Sequence, residues 1–358
     1  MVSTSWLWTR HESLGRRWVM APLAWIYSGV ARLNRKRWSS GLWRRRKLEC
    51  CVISVGSPVV GGAAKTPTAA WVARALKGRG FRVALATRGY GGRRRRGVTI
   101  LESEFAEEVS HHHVGDEALV LAQRTPGVPV LVARDRGRAG IRAIARWDTE
   151  ILVLDDGLAH HRLARDVELV TLDASAGLGN GSVLPRGPLR EPLDSISEIH
   201  AIGVVDGSLK RDDARLIANW APNAFRYTAV RRAVAVCSLD SGDRQVPSSL
   251  AGLEVGLLSG LARPEAFEET VRGLGAHVVT RRAFPDHHRY RASDLKSLGL
   301  EASVWITTQK DAVKLRPDWF RGLDLRVLEI DLEIEDESEF LDWLVGRIRE
   351  ARSASDRG

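Results

Sequence analysis

Between positions 50 and 205, apolar residues occur in short, nearly continuous runs, and helical patterns separate several of these runs. Strands that are apolar on both faces and alternate with helices are typical of a parallel sheet covered by helices on both sides. Such sheets bind ligands at the carboxyl ends of their strands. The predicted strands are CVISV (51–55), RVALAT (82–87), VPVLVA (128–133), EILVLDD (150–156), VELVTLD (167–173) and AIGVV (201–205).

A second block of strand–helix alternation begins near Phe225 and ends in an amphipathic helix from Glu337 to about Glu350. The Gly- and Pro-rich stretch 174–200 precedes it, and we expect this stretch to be a functional loop or a boundary. The pattern predicts an α/β, Rossmann-like fold with mainly parallel sheets and a smaller second α/β domain. The expected parts are an N-terminal segment (1–45), a larger domain (46–224) and a smaller α/β domain (225–350).

The N-terminal segment contains an uncharged stretch, residues 18–31, that is shorter than the roughly 20 apolar residues a spanning helix needs. Pro22 is expected to interrupt it. Basic residues flank an apolar helical stripe with interfacial aromatics, which is typical of an amphipathic helix lying in a membrane surface. The alternative is an amphipathic helix docked on the protein's own core. A signal peptide is disfavoured because basic residues follow the stripe and no clean cleavage site does. The stripe consists of Val19, Leu23, Ile26, Val30 and Leu33.

The chain of 358 residues is 44% hydrophobic and carries a formal net charge of +10, which indicates an anionic partner. Nucleic acid, an acidic membrane surface and a phosphorylated substrate all have this chemistry. Nucleic acid is disfavoured because the aromatics gather in the N-terminal stripe instead of alternating with basic residues along a groove. The three cysteines form no CxxC pair, so neither a disulfide framework nor a zinc ribbon is indicated, and a reducing cytoplasm fits best.

The stretch SVGSPVVGGAAKTP (54–67) has the composition of a phosphate-binding loop between a strand and a helix. In such loops backbone N–H groups and a lysine hold phosphates, while a Ser or Thr hydroxyl ligates Mg²⁺. The strict pattern fails twice, at Val59 and Ala64, and a left-handed Ala64 would cost about 1–2 kcal/mol. A glycine-rich turn without a ligand is the alternative. The candidate phosphate-binding residues are Gly61, Gly62, Ala63, Ala64, Lys65 and Thr66.

Two carboxylates, Asp155 and Asp156, end an apolar predicted strand in EILVLDDG. An Asp at a strand end can hold Mg²⁺ directly or through water, so we predict a magnesium site formed by Asp155, Asp156 and Thr66. The alternative is a plain Asp-Gly turn.

Two further motifs contain candidate acid–base residues. Asp116 in VGDE lies at a predicted helix start, where it would either cap the helix or accept a proton from a substrate hydroxyl. FPDHHRY (284–290) contains an Asp-His pair that could orient a proton, although a polar surface loop can have the same composition. The run His111–His113 is a poor candidate for zinc, because consecutive histidines cannot all face one ion and no second ligand cluster matches.

Arg88 and Arg93–Arg96 follow a predicted strand in TRGYGGRRRRG and could clamp an anionic substrate. For the arginine run, a solvated face or membrane contact is the alternative.

Taken in order, these motifs resemble those of the tetraacyldisaccharide 4′-kinase family over roughly residues 20 to 345. The combination is specific, although no single motif is. The matching motifs are SVG…GGxxKTP, TRGYGG, VGDE, LDDGxxHxRL, DxELVxxD, GNGxxLPRGPLREP, RPExF…FPDHHxY and TTQKDAVKL.

The resemblance implies two α/β/α domains with the active site in the cleft between them, the larger being the P-loop kinase domain. It implies ATP and Mg²⁺ as cofactors and phosphorylation of the acylated disaccharide 1-phosphate precursor of lipid A, by a monomer at the cytoplasmic face of the bacterial inner membrane. Asp116 matches the catalytic Asp and His287 its partner. Arg190 and Glu191 of PLREP match nucleotide-site residues, and Arg88 and Tyr90 of TRGYGG match substrate contacts.

The chain departs from the family pattern at Ser57, Ala64, Leu158-Ala159 and His161, where Asn, Gly, Phe-Gln and Arg are usual. These departures affect the expected loop geometry and nucleotide affinity. They leave two alternatives: a non-catalytic homologue that binds lipid or nucleotide, and a P-loop kinase or GTPase acting on a soluble substrate.

Overall fold

The computed structural model describes residues 14–41, 43–61, 64–92, 97–102, 111–196, 198–261, 263–296 and 298–355. The main helices are α1 (Leu14–Ser39), α2 (Lys65–Gly78), α3 (His111–Val114), α4 (Asp116–Arg124), α5 (Arg136–Trp147), α6 (Arg211–Trp220), α7 (Pro264–Gly273), α8 (Ala292–Leu295), α9 (Gln309–Ala312) and α10 (Glu337–Ser355). Short 3₁₀ turns occupy Leu193–Ser195, Pro247–Leu250, Leu298–Leu300 and Pro317–Trp319.

In the described residues, thirteen strands join in one sheet, twelve of them in the order β11-β10-β12-β13-β8-β7-β6-β1-β5-β2-β4-β3, with β9 paired to β8. The strands are β1 (Cys51–Gly56), β2 (Val83–Thr87), β3 (Thr99–Leu101), β4 (Val130–Val132), β5 (Ile151–Asp155), β6 (Val167–Asp173), β7 (Ala201–Val205), β8 (Phe225–Ser238), β9 (Arg244–Gln245), β10 (Glu254–Ser259), β11 (His277–Ala283), β12 (Val304–Thr308) and β13 (Asp324–Ile334).

The predicted α/β class with mainly parallel strands is confirmed. Strands β7, β6, β1, β5, β2 and β4 are mutually parallel, as are β11, β10, β12 and β13. Antiparallel pairing occurs where β8 meets β13 and β9, and where β3 meets β4. The central strands are buried on both faces, which explains why their sequences are apolar throughout.

Strand β8 connects the two halves of the sheet. Its first residues pair in parallel with β7, and its later residues pair antiparallel with β13. The predicted boundary between 224 and 225 falls immediately before this strand. Strand pairing is thus continuous across the boundary, and the division into two domains stays a prediction.

Helix α1 runs through Pro22, so the expected interruption there is wrong. A proline inside a helix removes one backbone hydrogen bond, and this helix accommodates the loss without ending. One face of α1 contacts the rest of the protein through Ala24 and Arg35, which are buried. Within the described residues, no helix is long and apolar enough to cross a membrane.

An aromatic cluster joins α10 to the sheet and to α2. The fully buried Phe340 lies 4.3 Å from Tyr227 and 5.7 Å from Trp71 between ring centroids. Phe225 and Trp343 complete the cluster. The C-terminal helix is therefore packed against the layer that supports the phosphate loop.

We predict that Phe340→Ala destabilises the protein by about 3–5 kcal/mol, because it leaves a cavity inside this cluster. Urea denaturation followed by circular dichroism measures the change. Leu300→Ala is the control, since the Leu300 side chain is 91% exposed and its loss should change the free energy of unfolding by less than about 0.5 kcal/mol. Equal effects of the two substitutions would contradict the assigned packing.

Candidate active site

The phosphate loop connects the end of β1 at Gly56 to the start of α2 at Lys65. Gly61 has a φ of 73°, a left-handed conformation that favours glycine. Ala64 has a φ of −91° and is buried, so the predicted left-handed strain at this position is wrong. The backbone there needs no glycine, which explains how alanine is tolerated. Gly62 and Ala63 lie outside the described residues.

Lys65 and Thr66 both reach the acidic pair at the end of β5. The Lys65 ammonium lies 3.3 Å from Asp156 Oδ1. The Thr66 hydroxyl lies 3.3 and 3.4 Å from the two carboxylate oxygens of Asp155. The parallel pairing of β1 with β5 brings the two motifs together, because it aligns Val55 with Asp155.

The two neighbouring carboxylates have opposite environments. Asp155 is 2% exposed, and burial, followed by the nearby charges of Glu117 and Asp156, raises its pKa to about 7. Burial would also raise the pKa of Asp156, but Lys65 and Arg190 outweigh burial and lower it. Arg190 donates to both oxygens of Asp156, at 2.7 and 2.9 Å. Asp156 is therefore held ionised by two cations.

The oxygen atoms at and around the Asp155 carboxylate are ligands suited to Mg²⁺. In the described part of the chain, its hydrogen-bond donors are the hydroxyls of Thr66 and Thr87, at 3.2–3.4 Å. Mg²⁺ prefers oxygen ligands and usually binds one or two carboxylates together with substrate phosphates. The described residues contain no group of three or more His, Cys, Asp or Glu side chains suited to a metal.

Residues 188–190 pair with the phosphate loop through their backbones. Arg190 N–H donates to the carbonyl of Pro58 at 2.7 Å, and Val60 N–H donates to the carbonyl of Pro188 at 2.9 Å. Val59 and Leu189 form an isolated antiparallel bridge. The PLREP motif is thus fixed to the loop, with the Arg190 guanidinium directed at Asp156.

Glu191 faces a different set of partners. Its carboxylate lies 2.6 Å from Arg35 and 3.0 Å from His161 Nε2, and all three residues are buried. Both oxygens are engaged, which favours a supporting role over the predicted contact with the nucleotide. This cluster, together with the hydrogen bond from the Tyr27 hydroxyl to the carbonyl of Arg190 at 2.9 Å, attaches α1 to the active-site loop.

Asp116 and His287 come from opposite halves of the sequence and meet in the structure. His287 Nδ1 lies 3.0 Å from Asp116 Oδ2. Gly115, whose φ is 87°, is the N-cap of α4, and Asp116 is the first residue of the helix. Asp116 Oδ1 accepts a hydrogen bond from the Glu117 N–H at 3.0 Å, and Oδ2 faces His287. Burial would raise the pKa of Asp116, but the hydrogen bond from His287 and the charges of Lys310 and Lys314 lower it. The same hydrogen bond raises the pKa of His287 against the effect of burial.

Tyr90 lies beside this pair, with its ring centroid 5.7 Å from that of His287 and 64% of its surface exposed. Its loop packs on VGDE so closely that a Cβ on Gly115 would lie 2.2 Å from the Tyr90 carbonyl oxygen. Arg88 is exposed just beyond the end of β2. Arg93–Arg96 lie outside the described residues.

Two cations of the site, Lys310 and Lys314, were not predicted from the sequence, although both belong to the motif TTQKDAVKL. Lys310 Nζ lies 2.8 Å from Asp286 Oδ1 and 3.4 Å from His287 Nε2. Lys314 Nζ lies 4.0 Å from Asp116 Oδ2. Their spacing of four residues, one helical turn apart, was the available signal.

We predict that an NMR titration places the pKa of His287 above 6.5, and that Asp116→Asn lowers it. The asparagine removes the negative partner, while burial and Lys310 continue to disfavour the imidazolium. Since the folded-state pKa is raised, the stability from this pair is complete below pH 6.5 and is lost as pH rises through the folded-state pKa.

The His287 signal is assigned from the spectrum of His287→Gln. Asp294→Asn removes the partner that lies 3.1 Å from the neighbouring His288 and should leave the His287 midpoint in place. A His287 midpoint that does not move in Asp116→Asn would contradict the pairing.

Comparison with known proteins identifies the family. The LpxK family model, described as tetraacyldisaccharide-1-P 4′-kinase, matches residues 16–349. The tetraacyldisaccharide 4′-kinase of Syntrophus aciditrophicus is 36% identical over 84% of this chain and 84% of its own length. That of Chromobacterium violaceum is 35% identical over 95% of this chain and 97% of its own.

A solved structure agrees with these relatives. The crystal structure of LpxK from Aquifex aeolicus in complex with ATP superposes with a TM-score of 0.76 at 26% identity, covering 93% of this chain and 99% of that one. The chain therefore belongs to the tetraacyldisaccharide 4′-kinase family, whose members are phosphotransferases that act on an alcohol acceptor.

Proposed function

We propose that this protein transfers the γ-phosphoryl group of ATP to the 4′-hydroxyl of the tetraacyldisaccharide 1-phosphate precursor of lipid A, with Asp116 as the proton acceptor. The Asp116–His287 contact at 3.0 Å is the observation that carries this proposal. The contact joins a carboxylate of lowered pKa to a histidine that can orient it, and the next residue, Glu117, lies near enough to Asp155 to raise the pKa of that carboxyl. The family assignment supports the nature of both substrates.

On the phosphate side, Lys65 and the amides of the loop would bind the outer phosphates of ATP. Thr66 and Asp155 would hold Mg²⁺, which neutralises phosphate charge when it is bound. Asp156 would keep Lys65 and Arg190 in place, since it contacts both cations. Transfer of a phosphoryl group depends mainly on such positioning and charge stabilisation.

On the acceptor side, Asp116 Oδ2 would take the proton of the attacking hydroxyl as the bond to phosphorus forms. His287 would orient this carboxylate through Nδ1. A base with a lowered pKa is ionised at neutral pH, and so it is ready to accept a proton. Tyr90 is exposed beside His287, and the exposed Arg88 precedes it by two residues in the same loop. Both would contact the sugar or its phosphate.

We infer that the outer face of α1 lies in a membrane surface. Trp25 is 85% exposed, and Leu23, Ile26, Val30 and Leu33 are each more than half exposed. Their spacing puts them on one side of the helix, opposite Ala24 and Arg35. The helix thus docks on its own protein and also presents an apolar face, which combines the two alternatives drawn from the sequence.

We also propose a cellular location and an oligomeric state for this protein. ATP is a cytoplasmic substrate, so we place the protein at the cytoplasmic face of the inner membrane. We propose that the protein acts as a monomer, because one chain can supply the phosphate-binding, metal-binding and proton-accepting residues of the proposed site. Binding to an anionic membrane surface and to a phosphorylated lipid would account for the positive charge without nucleic acid.

We predict that Asp116→Ala and Lys65→Ala each lower phosphoryl transfer by roughly 10²–10⁴-fold, since they remove the proton acceptor and a phosphate ligand. Transfer of radiolabelled phosphate from ATP to the lipid is the measurement. Lys77→Ala is the control because Lys77 is exposed and bonds to the carbonyl of Pro126.

Full activity of Asp116→Ala or Lys65→Ala would contradict the proposed phosphoryl transfer. Lipid phosphorylation by the wild-type protein excludes a non-catalytic homologue, whereas ATP turnover with a water-soluble acceptor in place of the lipid would favour a kinase of soluble substrates.

We predict that the double variant Trp25→Asp/Ile26→Asp binds anionic lipid vesicles at least about tenfold more weakly, because burying a large apolar side chain contributes about 1.5–3 kcal/mol. Vesicle flotation measures the binding. Val246→Asp is the control: Val246 is 66% exposed but lies in the second half of the chain. Unchanged flotation of the double variant would remove the membrane role of α1.

A further inference from the structure

A buried ion pair lies next to Asp116 and has no part in the mechanism described above. Lys314 and Asp311 are 3% and 0% exposed, and their charged groups are 2.7 Å apart. Removing two charges from water is costly, so such pairs are weak contributors to stability. Their burial beside a proton acceptor therefore calls for another explanation.

Asp311 is anchored independently of the lysine. It accepts hydrogen bonds from Gly260 N–H at 2.9 Å and from the Thr308 hydroxyl at 2.8 Å. These contacts tie α9 to the ends of β10 and β12. These two hydrogen bonds hold the Asp311 carboxylate in place, and the Lys314 ammonium binds to it.

The ammonium of Lys314 has three donors, and the bond to Asp311 uses one. It also lies 5.3 Å from the Tyr290 ring centroid and 4.0 Å from Asp116 Oδ2, the oxygen that binds His287. At this distance a buried cation strongly favours the ionised form of a carboxylate.

We propose that Lys314 is a positioning residue for phosphoryl transfer, which Asp311 anchors so that its ammonium keeps Asp116 ionised and directed towards His287. This inference rests on the proposed role of Asp116 as proton acceptor. It assigns a function to the second half of TTQKDAVKL.

The charges around Asp116 set the expected pH dependence. His287 and Lys310 face it together with Lys314, while Glu117 is its chain neighbour and Asp286 neutralises part of Lys310. Removing Lys314 takes away one positive charge, so the carboxylate binds its proton more readily. Activity should then be lost at a higher pH as the solution is acidified.

Four variants test the proposal in the lipid phosphorylation assay. K314M and D311N/K314M should lower kcat roughly 10- to 100-fold, with the KM for ATP changed less than threefold. In both, the acidic limb of the kcat profile should move to higher pH. D311N alone keeps the cation beside Asp116 and should lose less activity than D311N/K314M. K314R, which retains the charge, should recover part of kcat and return the acidic limb towards that of wild type.

The double variant separates positioning from simple pairing. If Lys314 served solely as counter-ion to Asp311, D311N/K314M would match D311N in kcat and in pH profile, and the proposal would fall. The double variant also supplies the test should K314M fail to fold, because it leaves no unpaired buried carboxylate. K296M removes an exposed lysine from the same half of the chain and is the charge control.

Failure of this inference is distinguishable from failure of the proposed function. An active Asp116→Ala variant would overturn the role of Asp116 itself. An inactive Asp116→Ala variant combined with K314M of wild-type kcat and pH profile would overturn the role of Lys314 alone.

Discussion

The ion triad of Lys65, Asp156 and Arg190 is the interaction on which the arrangement of the site depends. Asp156 adopts a left-handed φ of 52° directly after β5, and this turn directs its carboxylate towards both cations. Non-glycine residues in this region are uncommon and cost free energy. Two cations bound to one carboxylate offset that cost, and the neighbouring Asp155 is the proposed metal ligand.

The triad also links distant parts of the chain. Arg190 belongs to the segment whose backbone pairs with the phosphate loop, and its neighbour Glu191 binds Arg35 of α1. The helix proposed to lie in the membrane therefore contacts Glu191, and the preceding residue, Arg190, contacts Asp156. Movement of α1 relative to the sheet would reach the phosphate loop through these polar contacts, of which the Arg35–Glu191 pair is buried.

On the acceptor side, too, cations keep a carboxylate ionised. Asp116 is buried, and burial alone would favour its protonated form. His287, Lys310 and Lys314 reverse that preference, and all three come from the second half of the chain. Asp116, the proposed proton acceptor, is therefore buried and yet ionised only when both halves of the sheet are assembled.

The strands and helices of the first half were largely predictable, because their buried faces require long apolar runs. All six strands predicted before residue 206 are present, within two residues at each end. Strand β3 and helix α6 were not anticipated. Strand β3 is three residues long and depends on pairing with the edge of β4, while α6 is rich in charged residues.

For the site, residue types and motif order indicated which side chains take part, since phosphate binding, metal binding and proton transfer each demand particular groups. The sequence could not show that Ala64 has an ordinary backbone, that Glu191 binds Arg35 and His161, or that Lys314 lies against Asp116. Those facts depend on φ angles and on contacts between residues far apart in the chain. The sequence by itself determined the fold class, the family and the candidate chemistry. Only the tertiary structure decided which charges neutralise one another, because electrostatic interactions depend on distance and burial.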